Sequence, residues 1–86
     1  MDELQSRMEA VKDNLAAFAK TLTQREKKEM QKKMDGPEDE VGGTVALLWL
    51  AMRRNDPKVA FDPLLDYTDE ELVAGYEQHV PLVPKN

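Results

Sequence analysis

Apolar residues recur through the first third of the chain at alternating steps of four and three: Leu4, Met8, Val11, Leu15, Phe18 and Leu22. Such steps put side chains on one stripe of an α-helix, so the pattern predicts a long amphipathic helix within residues 1–36. The stripe fails after Leu22, where the next positions fall on Arg25 and Glu29 and only Met30 and Met34 remain apolar. Two uses are open to it. It can pack on the rest of the chain, or it can serve as a short coiled-coil seam for a partner helix or a second copy. On the second use, Leu4, Met8, Val11, Leu15, Phe18 and Leu22 are the candidate protein-binding residues. Thr23-Gln24-Arg25-Glu26 has the spacing of a capping box and offers a break. A single helix bent near Thr21 is favoured, ending at Asp35-Gly36-Pro37, where Gly36 can take the left-handed cap conformation.

The pattern then changes. Residues 37–43, Pro-Glu-Asp-Glu-Val-Gly-Gly, read as a flexible acidic linker. Residues 44–86 read as a small helical domain. Val45 to Met52 is apolar on every side, which predicts a helix from about Thr44 to Arg54 that must be covered all round. Arg53-Arg54 meets the negative end of the helix dipole, and Asp56-Pro57 stops it. Asp62-Pro63 predicts a short helical turn, and Thr68-Asp69-Glu70-Glu71 opens a last helix to about Gln78. The expected buried core is Leu47, Leu48, Trp49, Met52, Phe61, Leu65 and Leu72. Val80-Pro81-Leu82-Val83-Pro84 predicts an extended tail, because two prolines exclude a helix. The fold class is all-α.

Length changes this picture in one respect. An 86-residue chain hides only about 60–65% of its unfolded surface, and this one has no cysteine for a disulfide or thiolate metal site. Stability must come from helix packing or from a partner. The acidic N-terminus is unlike a secretory signal, and the longest apolar run is far below the roughly 20 residues a membrane span needs. The expectation is cytoplasmic residence and no membrane partner.

Candidate chemistry is thin. His79, the single histidine, sits at the end of the last helix and reads as an ordinary surface residue. Asp66, Asp69, Glu70 and Glu71 supply carboxylates but lack a calcium-loop pattern, and helix N-termini attract acids in any case. Gly42-Gly43 is not followed by a phosphate-binding lysine motif. No catalytic residue, cofactor or metal is therefore assigned, and the chain reads as non-enzymatic. The stretch Arg25 to Lys33 carries five cations and two acids in a chain of net charge −5. Glu26 and Glu29 interrupt it and no aromatic is interleaved for base stacking. A solvated helix face ranks first for this stretch, docking on an acidic protein surface second, and nucleic acid last.

One segment carries a resemblance. Val45-Ala46-Leu47-Leu48-Trp49-Leu50-Ala51-Met52, then Arg53-Arg54, Asp56-Pro57, Val59-Ala60-Phe61 and the acidic step Asp62-Pro63-Leu64-Leu65-Asp66 resemble a pattern in tail assembly chaperones of long-tailed actinobacterial phages. The resemblance covers about a third of the chain and does not reach the N-terminal helix or the tail. It implies a protein partner from phage assembly, a long helical tape-measure protein that the chaperone masks reversibly while the tail grows. Methionines suit such adaptable contacts, or simply fill the core. Two alternatives stay open: a small head or tail component of the particle, and an inhibitor of a host protein.

Overall fold

The computed structural model describes residues 2–81, and every described α-helix begins on a capping side chain that the sequence places there. Helix α1 spans Glu3–Lys20, α2 Gln24–Lys33, α3 Glu40–Asn55 and α4 Asp69–His79, with a 3₁₀ turn at Asp62–Asp66. Asp2 caps α1 by accepting from the Gln5 N–H at 2.7 Å. Thr23 and Thr68 open α2 and α4 with full capping boxes, each hydroxyl accepting from the N3 amide while the N3 glutamate accepts from the threonine N–H. The all-helical expectation holds among the described residues.

The first correction concerns residues 1–36, which form two helices rather than one. The Thr21 hydroxyl donates to the Phe18 carbonyl at 2.7 Å, Leu22 is buried in the elbow, and Thr23 starts a new helix. A straight helix would carry residues 24–33 away from the core, whereas the elbow lays α2 along α3. The second correction concerns residues 37–43. Helix α3 starts at Glu40, so Glu40–Gly43 is its first turn and not linker. Asp39 makes this possible by accepting from Gly42 N–H at 3.0 Å and from Asp35 N–H at 2.8 Å. Gly36, at φ 102°, turns the chain between α2 and α3 in a conformation that L side chains rarely adopt.

Helix α3 is the centre of the molecule. Val45, Ala46, Leu48, Trp49, Leu50 and Ala51 are buried, and Leu47 and Met52 are half-buried against them. Helix α2 covers one side and α4 another, the 3₁₀ turn also rests on α3, and α1 packs on α4. Val73 and Tyr76 are the fully buried contributions of α4, while Leu72 is half-buried. The Tyr76 hydroxyl donates to the Thr44 carbonyl at 2.6 Å. Burial raises its pKa above the ordinary phenol value. At Gly75 the two helices come so close that an added Cβ would sit 2.8 Å from a Leu48 methyl.

Trp49 holds the chain that follows α3. Its Nε1–H donates to the Val59 carbonyl at 3.0 Å, and the Phe61 ring meets it edge-on at 5.7 Å and 88°. Leu64 is then buried but Leu65 is 51% exposed, against the expectation that Leu65 belongs to the core. A 3₁₀ turn advances a third of a revolution per residue, so one of two adjacent leucines must face outward. Val80 is buried with extended backbone. The rest of the expected tail, from Leu82, lies outside the described residues.

Candidate interaction surface

The six stripe residues expected to meet a partner are largely engaged within the chain. Val11, Phe18 and Leu22 are buried in the core, Leu15 packs against it, Leu4 is half-buried and only Met8 stands 40% exposed. Arg7 pairs with Glu77 at 2.6 Å, fixing α1 to α4 and holding the Glu77 carboxyl below its ordinary pKa. The radius of gyration is 12.6 Å, close to the roughly 12 Å of a single folded body this size, so α1 is not a projecting arm.

Helix α2 is different, because none of its residues is buried. Helical phase divides it. Glu26, Glu29, Met30 and Lys33, at i, i+3, i+4 and i+7, form the side turned to α3. Glu26 receives Arg54 through two nitrogens, at 3.0 and 3.2 Å, and Glu29 pairs with Arg53. The Arg54 guanidinium, seconded by the Thr23 N–H and opposed by partial burial, keeps the Glu26 carboxyl below the usual pKa. Arg53 lies 4.6 Å from the Trp49 ring centroid, and the Lys33 ammonium is 5.4 Å from Trp49 and 5.5 Å from Phe61.

With both acids turned inward, the outward side of α2 presents Arg25, Lys27, Lys28 and Lys32 beside Gln24 and Gln31, all exposed. None of these four cations takes part in the three ion pairs found among the described residues. The apparent interruption of the basic stretch thus disappears on folding. Along one edge of this side, Lys27, Met30, Gln31 and Met34, again at i, i+3, i+4 and i+7, line a half-open groove of ≈ 460 Å³ that ends at Gly36 and Pro37. The Met30 and Met34 methyls rest over Gly43 of α3; a Cβ there would meet them at 3.7 and 3.4 Å.

The groove joins apolar side chains to Lys27, which none of the three ion pairs uses. No protein-family model matches this chain, and neither a curated protein nor a solved structure does. The remaining candidates stay apart from this surface. His79 is half-buried in the last turn of α4, and Glu71 spends its carboxylate on the Thr68 cap. Among the described residues no three His, Asp or Glu side chains converge on a possible metal position. Among them, too, no helix is long and apolar enough to cross a membrane. Sequence reasoning noticed the cations and the two methionines but did not place Lys27 and the methionines on one edge. The signal that would have found it is the phase of Lys27, Met30, Gln31 and Met34, which recur at i, i+3, i+4 and i+7.

Proposed function

We propose that this chain is a non-enzymatic morphogenesis factor of a long-tailed phage, a tail-assembly chaperone that reversibly masks a long helical client such as the tape-measure protein. The observation that supports the reading best concerns Val45–Asp66, the segment that carries the resemblance. It forms one built unit: a buried helix, a charged stop, and a returning loop pinned to Trp49 by the Val59 carbonyl and the Phe61 ring. A client surface remains free on the other side of that unit, where α2 offers methionines and cations. Thioethers adapt to irregular apolar contacts, and such contacts suit a client that must later be released. A permanent particle component would suit an N-terminal helix, linker and tail that lie across adjacent subunits, and α1 is instead packed on α4.

A tagged full-length chain, used as bait in lysate of the infected host with mass spectrometry of the captured proteins, tests the reading. The expected main partner is one very long helical phage protein, with the bait chain absent from mature particles. Capture of capsid, portal or tube proteins together with the chain in purified particles would replace the chaperone by a structural component. A host protein as sole partner would replace it by an inhibitor.

A further inference from the structure

We infer that the Lys27–Met30–Gln31–Met34 groove is a docking site for an acidic amphipathic helix of a protein partner; this deepens the chaperone reading by naming the surface and the chemistry of the client. Three observations combine. The groove runs along two turns of α2, about 10 Å at 1.5 Å per residue, the length over which an apolar i, i+3, i+4 face makes its contacts. Its walls include the flexible side chains of Met30 and Met34, whose methyls rest over Gly43 of α3. Its outer edge carries Lys27, with Lys28 exposed next to it in the chain, and neither is taken by Glu26 or Glu29, which are held by Arg54 and Arg53.

Charge complementarity selects the occupant. An acidic flank next to an apolar stripe satisfies both the cations and the methionines, and a purely anionic polymer would leave the methionines uncovered. The end of the groove is not basic: Asp35 and Glu38 are exposed in the turn beside Gly36 and Pro37. The partner's acids therefore lie along α2 and stop short of that turn, which gives the bound helix a direction. A second copy of this chain or a nucleic acid would use the same cations and is an outcome of the test.

The test is fluorescence anisotropy of the full-length chain with a labelled helical peptide of about 20 residues, with leucines on one face and glutamates on its flanks. Controls are a scrambled peptide of the same composition, a version with lysine for glutamate, and a single-stranded DNA oligonucleotide. The acidic amphipathic peptide should bind best, and added salt should weaken it. Lys27→Glu with Lys28→Glu should weaken it about tenfold, Met34→Ser should weaken it by a similar factor, and Lys12→Glu on α1 should leave it unchanged. Both lysines are exposed, so the double variant keeps its fold, which circular dichroism checks independently of Met34→Ser. Equal binding of the scrambled peptide, preference for the oligonucleotide, or indifference to both variants would overturn the site. So would concentration-dependent self-association that the lysine variant abolishes. The double variant as lysate bait separates this inference from the function: if it keeps the long client, the groove is wrong and the chaperone reading stands. If the peptide binds but wild-type bait captures no tail protein, the groove stands and the chaperone reading falls.

Discussion

Helices α2 and α4 begin in the same way and are attached in opposite ways. Each opens on a threonine and a glutamate in a capping box, so each has an equally good local reason to be helical. Helix α4 then drives Val73 and Tyr76 into the core at 0% and 1% exposure, whereas α2 buries nothing. What holds α2 to α3 is two glutamate–arginine pairs, Lys33 over two aromatic rings, and a partly buried methionine. Exposed ion pairs contribute little and are screened by salt, while apolar burial is neither weak nor screened. A cap therefore decides that a helix exists, and the side it buries decides how firmly it stays. The firm helix here is framework, and the loosely held one carries the candidate binding surface.

The comparison is broken most severely at Tyr76. Tyr76→Ala should cost roughly 3–5 kcal/mol, as for other large aromatic truncations, and abolish a cooperative urea transition in a chain of this size. Met30→Ala on α2 should leave that transition in place; loss of it would mean that α2 is as structural as α4. Next comes Gly75→Ala, which pushes a methyl into Leu48. Overpacking of about 1–3 kcal/mol should outweigh the gain in helix propensity of about 1 kcal/mol, lowering the melting temperature. A higher melting temperature would show that Leu48 can move aside.

The matched cap removals sharpen the contrast. Thr68→Ala and Thr23→Ala each remove a cap of about 1 kcal/mol. The first should appear in the global melt, and the second mainly as faster hydrogen exchange of α2 amides with a smaller shift in melting temperature. Equal shifts for both would erase the distinction. The smallest effect is that of pH. The Glu26 carboxyl has a lower pKa folded than unfolded, so its bond to Arg54 adds stability above the ordinary glutamate range that is lost as pH falls through the depressed value. Below about pH 4, hydrogen-exchange protection in α2, corrected for the intrinsic rate, should fall before that in α4 does. High salt at neutral pH should push in the same direction.

Most of the framework was legible in the sequence because its signals are local or periodic. The apolar run of α3, the Thr68 box and the Asp62-Pro63 turn all appear where side-chain pattern places them. The elbow at Thr21–Thr23 had its signal too, but the choice between a bent helix and a broken one depends on Arg54, which lies 31 residues beyond Thr23 in the chain. The same is true of Gly42-Gly43, which reads as linker until Asp39 caps it and the methionines of α2 settle over it. The candidate surface was legible only in part. Its cations stand out in sequence, but their freedom from Glu26 and Glu29 is created by arginines of another helix.

Arg54 has a consequence for how the molecule assembles. Its guanidinium touches two other helices and the elbow between them: it donates to the Thr21 hydroxyl at 3.1 Å and carbonyl at 3.2 Å, grips Glu26, and lies 4.6 Å from the Phe18 ring centroid. These contacts need α1, the elbow, α2 and α3 all in register, so they are expected to form late in folding, outside its nucleus. Substituting Arg54 should hasten unfolding while leaving the folding rate nearly unchanged. That outcome would make this one side chain a latch, setting how long the finished structure lasts and not how quickly it is reached.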